Sequence, residues 1–318
     1  MKAETRFRAM GTDVHVVVVG GGRSLPETAR RSVEDLERRW SRFRPDSEIS
    51  MLNSFAGRPF RVSSVTRSLI EHAVDGARIT NGTYDPTVLG AVIRAGYDRT
   101  FERLAGRGPG NGSELSSGVE GIAIDPAAST VMLPAGVGFD PGGIGKGYAA
   151  DLVVEELLEL GAAGACVNVG GDLRTDGDPP PGGPWAIEVE HPLRPSPAAL
   201  IGLRSGAVAT SSRMRRTWRT QGDRRHHLID PTTGRPAASG LVSATVVATF
   251  GWQAEILAKA AFLGGLAGGF DVLAATGAAG LLIGDDGTVH ESGGLGRFVR
   301  TSEAPPTSSV SREAGARR

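Results

Sequence analysis

Residues 139–172 read FDPGGIGKGYAADLVVEELLELGAAGACVNVGGD, and this segment sets the architecture of the middle of the chain. Its glycine-rich beginning leads into a helical pattern in which Leu152, Val153 and Leu157 share one face, and Gly161 ends the helix. The apolar run 165–169 then predicts a buried strand that stops at two glycines. A turn, a helix and a strand in this order predict a helix packed on a sheet.

The rest of the chain intersperses strands and helices in the same way. Strands are predicted at residues 10–19, 185–190, 200–204, 207–209 and 241–249, with hairpins at 121–133 and around 285–287. Helices are predicted after a capping box formed by Ser24 and Glu27, and at 63–79, 254–263 and 270–275. Residues 103–118 are predicted to be an exposed loop. Because the order shows no strict βαβ alternation, the expected fold class is α+β.

Composition excludes several classes of function. The 318 residues include 35 basic and 35 acidic side chains, and this neutral balance gives no reason to expect nucleic acid or an anionic membrane as a partner. The one cysteine, Cys166, excludes a disulfide within the chain and a thiolate metal cluster, and its apolar neighbours predict a buried side chain. Residues 1–10 lack the apolar core of a signal peptide, so we expect a cytoplasmic protein.

The glycine-rich turn places Lys146 just before a helix, where backbone N–H groups and an ammonium suit a phosphate. The common nucleotide motifs do not match. A P-loop would need glycine at Asp140 and a hydroxyl residue at Gly147, and a dinucleotide-binding loop would need glycine at Tyr148. From these residues alone, an anion site and a plain tight turn stay equally open.

Several separated segments carry a resemblance to a known family. They are residues 10–12 (MGT), 40–53 (WSRFRPDSEISMLN), 82–87 (GTYDPT), 140–172, 210–236 and, with departures, 254–264 (AEILAKAAFLG). Together and in this order they resemble the ApbE-type FAD:protein FMN transferases. The resemblance implies a fold of mixed sheets flanked by helices, in two lobes with the FAD site in the cleft between them. It also implies one domain over residues 1–300 and a disordered tail at 301–318.

The resemblance implies an activity as well. Family members transfer FMN from FAD to a threonine hydroxyl of an acceptor protein through a phosphoester bond, and AMP leaves. The matching FAD contacts here are Met10, Phe43, Thr83, Tyr84, Asp85, Lys146, Thr210, Ser211, Ile229 and Asp230. Lys146 and His227 match the catalytic residues, and an imidazole can accept the hydroxyl proton at ordinary pH. From the residues alone, His226 and His227 could equally be a structural pair.

The resemblance further implies Mg²⁺, at positions that this chain alters. The matching residues are Ala149, Glu255, Ala258 and Lys259, where the family has an aspartate and a threonine in place of the glutamate and the lysine. Mg²⁺ requires oxygen ligands, so the lysine matters. Three interpretations stay open: Glu255 and Lys259 form an i, i+4 pair; the ammonium replaces the metal; or a weakened site still binds it. We expect a reduced dependence on Mg²⁺.

Two alternatives to transfer to a protein stay open. With water as acceptor, the same chemistry would hydrolyse FAD to FMN and AMP. Without catalysis, the protein would bind or deliver flavin, and a scaffolding role is a third, more distant reading. The sequence names neither the acceptor protein nor the oligomeric state.

Overall fold

The computed structural model describes residues 1–104, 110, 112, 118–220 and 223–299. The strands are β1 (Lys2–Ala9), β2 (Thr12–Val19), β3 (Phe60–Arg61), β4 (Ala123–Asp125), β5 (Thr130–Met132), β6 (Gly164–Val169), β7 (Asp172–Gly177), β8 (Trp185–Val189), β9 (Ala199–Leu203), β10 (Gly206–Ser212), β11 (Thr217–Thr220), β12 (Asp223–His226), β13 (Ile229–Asp230), β14 (Arg235–Pro236), β15 (Leu241–Ala248), β16 (Ala279–Gly284) and β17 (Val289–Glu291). The helices are α1 (Leu25–Trp40), α2 (Glu48–Ser54), α3 (Ser64–Ile79), α4 (Leu89–Arg94), α5 (Gly145–Glu159), α6 (Gly251–Leu263) and α7 (Gly265–Thr276).

The central element is an eight-stranded sheet in the order β1-β2-β6-β7-β10-β15-β16-β17, antiparallel in every ladder. Helices cover one face, and the β8–β9 hairpin covers much of the other. Val14, Val16 and Val18 therefore join the core beneath the helices, while Val17 and Cys166 join the core beneath the hairpin. Because successive side chains of a strand alternate between faces, a strand covered on both sides reads as a continuous valine run.

The α+β class is confirmed, as are the main helices and strands. Two details differ from the sequence prediction. Ser24 precedes α1 in a helical conformation and its side chain caps no backbone group, so the predicted capping box is absent. The first strand of the sheet, β1, lies in a segment that the sequence prediction had left without structure. Its alternating exposure, with charged side chains outward, is typical of an edge strand.

Cys166 is buried as predicted, and burial raises the pKa of its thiol to about 12. Within the described ranges, no helix combines the length and the apolar character needed to cross a bilayer. The predicted loop at 103–118 falls mostly on residues 105–109, 111 and 113–117, and the predicted tail is 301–318; both lie outside the described residues.

Two glycines bring α5 and α6 into backbone contact. A Cβ on Gly147 would lie 3.0 Å from the Trp252 nitrogen, and one on Gly251 would lie 2.9 Å from the Gly147 carbonyl carbon. The first turns of the two helices therefore touch, which places Lys146 of α5 beside Glu255 of α6. This contact brings the residues that α5 and α6 contribute to the site next to each other.

Candidate active site

The glycine-rich turn is held in place by hydrogen bonds from segments 40–53 and 82–87. Asn53 donates to the Phe139 carbonyl at 3.0 Å and accepts from the Phe139 N–H at 2.7 Å, while the Asp140 N–H donates to the Pro86 carbonyl at 2.8 Å. Pro141–Gly143 then forms a 3₁₀ turn into α5. These contacts bring segments 40–53, 82–87 and 140–172 to one place.

The glycines of this turn serve close approach rather than an unusual backbone conformation. None of Gly142, Gly143, Gly145 and Gly147 has a positive φ. A Cβ on Gly143 would lie 2.8 Å from Cε of Lys259 and 2.9 Å from a ring carbon of Tyr84. The missing side chain therefore leaves room for the lysine that α6 contributes.

A carboxylate of the protein itself occupies the beginning of α5. The Gly147 N–H donates to Oε2 of Glu255 at 2.8 Å, and the Lys146 ammonium lies 3.0 Å from Oε1 of Glu255. Since helix N-termini attract anions, the expected phosphate position on this N–H is filled by Glu255. Of the three interpretations left open for Glu255 and Lys259, the i, i+4 ion pair is not formed, because the Glu255 carboxylate pairs with Lys146 instead.

Lys146 also forms an ion pair with Asp172, the first residue of β7, whose other oxygen accepts the Thr210 N–H at 3.2 Å. One ammonium thus bridges two nearly buried carboxylates and ties α5 to the sheet. Burial lowers the pKa of Lys146, and repulsion from Arg216 and Lys259 adds to this against the attraction of Glu255.

Lys259 lies beside the glycine turn with its ammonium 5.9 Å from the centre of the Tyr84 ring. Burial lowers the pKa of Lys259; attraction by Asp140 and Glu255 opposes this shift, and repulsion by Arg216 and Arg42 reinforces it. Among the residues that the structure describes, no carboxylate lies within ion-pairing distance of this ammonium.

His227 faces the same cations, whereas its neighbour His226 does not serve the site. Burial holds the pKa of His227 well below its ordinary value, and the charges of Arg216, Lys259 and Lys146 lower it further. The Nδ1 atom of His227 is buried without a hydrogen-bond partner in the described part of the chain. His226 instead hydrogen-bonds the Ala237 carbonyl through Nε2 at 3.1 Å and packs inside the protein. The Nδ1 atom of His226 is likewise buried without a hydrogen-bond partner among the described residues, so the two rings differ in the cations near them, which are Arg213 and Arg224 for His226.

An aromatic wall borders these charges. The rings of Phe43 and Tyr97 lie 5.6 Å apart, and those of Tyr97 and Trp218 lie 5.4 Å apart. Arg42 covers the wall, 4.2 Å from the Phe43 ring centre and 4.5 Å from that of Tyr97. Arg216 donates to the Tyr97 hydroxyl at 3.2 Å, which links the wall to the cations around His227. Flat rings and guanidinium planes suit a planar ligand.

The other predicted FAD contacts are distributed around this centre. Tyr84 is fully buried, its hydroxyl has no hydrogen-bond partner among the described residues, and burial raises its pKa well above the ordinary value. Asp85 accepts from the Thr87 N–H and hydroxyl, both at 2.7 Å. Thr83 closes the turn after α3 by donating its N–H to the Thr80 carbonyl at 3.0 Å. The segment therefore presents one rigid turn against α6.

Thr210 and Ser211, two of the predicted FAD contacts, lie in strand β10. Their side chains point to opposite faces of the sheet because successive residues alternate. Thr210 bonds Thr245 across the strands at 2.9 Å and lines a cavity of about 610 Å³ beneath β8, away from α6. Ser211 is on the face that packs against α6.

The remaining three predicted FAD contacts have local structural roles in the protein. Met10 occupies the β1–β2 turn with a positive φ of 52°. Ile229 is buried in β13. Asp230 opens a turn in which its carboxylate accepts from Thr232 at 2.7 and 2.9 Å; these hydrogen bonds outweigh burial and lower the pKa of Asp230.

The four positions matched to a magnesium site do not fit that ion. Both oxygens of Glu255 are engaged by Lys146 and Gly147, Lys259 offers an ammonium instead of an oxygen, and Ala258 is buried with no donor atom on its side chain. Across the described residues, no cluster of three or more His, Cys, Asp or Glu side chains could hold a metal. Mg²⁺ prefers six oxygen ligands in octahedral geometry, which this set does not supply.

Sequence reasoning missed several residues of the site. Asp172 was quoted only as the end of a motif, and Arg216 was not among the predicted site residues. Tyr97 and Trp218 were not considered at all, although aromatic residues near predicted loops are a usable signal in a chain with 5% aromatic content. Asp151 accepts hydrogen bonds from the first N–H groups of α6, and no role was predicted for it from the sequence.

The chain is similar over most of its length to a known protein family. The model of a family described as the ApbE family matches residues 10–282. The FAD:protein FMN transferase of Vibrio cholerae is 30% identical over 240 residues, which are 72% of this chain and 70% of that protein. That of Haemophilus influenzae is 30% identical over 280 residues, covering 80% of this chain and 79% of that protein.

Solved structures show the same fold. The ApbE protein of Thermotoga maritima superposes with a TM-score of 0.85 at 30% identity. The superposition covers 95% of this chain and 100% of that chain. The flavin transferase ApbE of Vibrio cholerae gives a TM-score of 0.78 at 26% identity, over 94% of this chain and 99% of that chain.

Proposed function

The chain belongs to the ApbE family, and on that premise we propose that it transfers FMN from FAD to a threonine hydroxyl of an acceptor protein, releasing AMP. One observation carries the proposal for the site. The imidazole of His227, whose Nδ1 has no hydrogen-bond partner among the described residues, lies close enough to Arg216, Lys259 and Lys146 for their charges to lower its pKa, and Arg216 joins this group to the aromatic wall. A dinucleotide fits such a site, because the flat rings at its ends can pack on aromatic side chains and the two negative phosphates between them can pair with the cations.

The reaction makes one bond and breaks one. The acceptor oxygen forms a bond to the phosphorus that carries riboflavin, and the bond from that phosphorus to the oxygen of AMP breaks. The hydroxyl proton goes to His227, which its buried, cationic surroundings keep neutral and ready to accept it. The cations around the imidazole stabilise the charge on the phosphoryl oxygens, which is the main contribution a protein makes to this chemistry.

The FAD contacts are proposed for the residues matched by the resemblance that lie around this centre. Phe43 supplies a ring face with the buried rings of Tyr97 and Trp218 packed behind it, and Tyr84 and Asp85 shape the turn under Lys259. Ser211 lies on the α6 side of the sheet and is retained, whereas Thr210 contributes through its backbone N–H on Asp172. Met10, Ile229 and Asp230 remain predictions.

The test uses FAD with and without an acceptor protein that exposes a target threonine. Transfer predicts AMP release together with a covalently flavinylated, fluorescent acceptor. AMP without the adduct would indicate an FAD hydrolase, and tight FAD binding without AMP would indicate a flavin-binding or delivery protein.

The His227→Ala variant sharpens the same experiment. It should bind FAD like the wild type but lose transfer by roughly 10²–10⁴-fold, the usual contribution of a general base. His226→Ala is the matched control, because that ring bonds the Ala237 carbonyl away from the cations and its loss should act on stability. Unchanged transfer in His227→Ala would remove this residue from the mechanism.

The single domain over residues 1–300, its two lobes and a cytoplasmic location likewise remain predictions from the sequence.

A further inference from the structure

Lysine is rare in this protein, and its placement is informative. Of the 35 basic residues, only Lys2, Lys146 and Lys259 are lysines, and the others are arginines. Two of the three lysines lie in the candidate site. An ammonium is a compact point charge, whereas a guanidinium is a broad planar fork. A chain that otherwise uses arginine therefore uses the compact cation at this position.

The surroundings of Lys259 hold its ammonium at one place. The Lys259 side chain packs against the backbone of Gly143 and the ring of Tyr84. A Cβ at position 143 would displace this lysine side chain. Helix α6 fixes its root, and α6 is itself fixed to α5 by the Gly147–Gly251 contact. A charge with this support is preorganised, so that little reorganisation is needed when a ligand arrives.

The same ammonium lacks a counter-charge within the described part of the protein. Glu255, one helical turn away, is taken by Lys146 and by the Gly147 N–H. Asp140 is paired with Arg42, whose Nε lies 3.5 Å from its carboxylate. Removing a charge from water without a partner costs free energy. A bound anion would recover that cost, and His227 lies close enough to Lys259 for the ammonium charge to lower the pKa of the imidazole.

We infer that the Lys259 ammonium is the fixed counter-charge for the diphosphate of FAD, and that this chain binds and cleaves FAD without a divalent metal ion. The inference rests on the proposed function. It replaces the earlier expectation of a weakened magnesium site, because the residues at that position already carry a positive charge and offer no free carboxylate oxygen.

The experiment measures the dissociation constant of FAD by quenching of flavin fluorescence, on protein stripped with EDTA and on the same protein in excess Mg²⁺. AMP release is followed in both samples after the acceptor protein with its target threonine has been added. The variant is Lys259→Met, and the matched control is Lys2→Met, which removes the remaining lysine at an exposed ion pair with Glu4 on the edge strand. Thermal unfolding of each variant verifies that it is folded.

The wild type is expected to bind FAD equally well with EDTA and with Mg²⁺, and to release AMP in both. Lys259→Met should weaken FAD binding by roughly 10-fold or more in both conditions, the value of one hydrogen-bonded charge, while Lys2→Met behaves as the wild type. Binding of FAD by the wild type only when Mg²⁺ is present would overturn this inference alone, as would wild-type affinity in a folded Lys259→Met. Absence of FAD binding in both conditions would overturn the proposed function and the inference together.

Discussion

Asp151 joins the two helices of the site, and its replacement by asparagine has a calculable effect. Its carboxylate, on α5, accepts the Gly251 N–H at 2.6 Å and the Trp252 N–H at 2.9 Å, with Nε of Arg174 at 3.5 Å. Burial outweighs these interactions and raises the pKa of Asp151 from 3.8 to about 6. The unfolded chain therefore releases this proton at a lower pH than the folded protein does.

The sign of the effect follows from that order. Below the unfolded pKa both states hold the proton, and the shift costs nothing. Above the folded pKa both states are ionised, and the folded protein bears the full cost of the buried charge. A rise from 3.8 to about 6 corresponds to about 3 kcal/mol. Asp151→Asn cannot titrate and has no such dependence.

Urea unfolding followed by tryptophan fluorescence measures the effect. The free energy of unfolding of the wild type, minus that of Asp151→Asn, should fall by about 2.4 kcal/mol as the pH rises from about 4 to about 7, because a small part of the full shift is already expressed at pH 4. Asp271→Asn, on the exposed side of α7, removes a carboxylate without touching the α5–α6 contact and is the matched control. A constant difference between wild type and Asp151→Asn over this range would refute the burial argument.

Two further expectations concern the histidine and the glycine turn. Because burial and nearby cations keep the pKa of His227 well below 6.5, the acid limb of kcat/KM for AMP release should lie below pH 6.5; a limb at or above that pH would contradict the assignment. Gly143→Ala puts a methyl group where Lys259 and Tyr84 lie, and should destabilise the protein by about 1–3 kcal/mol and weaken FAD binding. Gly145→Ala is its control, since a Cβ there meets nothing closer than 3.8 Å; equal effects of the two changes would contradict the packing argument.

Local patterns in the sequence were enough to predict much of the fold. The spacing of apolar residues predicts α5, and the valine run predicts β2, because packing against the sheet and burial on both faces leave direct marks on residue choice. The edge strand β1 has a weaker sequence signal, and it was not predicted. Residues 2–9 alternate charged and less polar side chains with period two, but without an apolar run the alternation was passed over.

The site could be predicted only in part, because its contacts join distant segments. The resemblance named Lys146, His227, Glu255 and Lys259, and the structure brings them around one space. It could not show that Glu255 binds Lys146 in preference to Lys259, since the i, i+4 spacing favours the latter. That choice depends on the approach of α5 to α6, which is a property of two glycines 104 positions apart in the chain, Gly147 and Gly251.

The isolated thiol of Cys166 gives the protein a practical property. Because it is only 5% exposed beneath the β8–β9 hairpin and burial raises its pKa to about 12, it is a poor target for alkylating reagents while the protein stays folded. A cysteine introduced on the outer side of α7 would then be the preferred site for a dye. Energy transfer between such a dye and the isoalloxazine would follow the arrival and departure of the flavin in real time, without mutation of any residue near the phosphates.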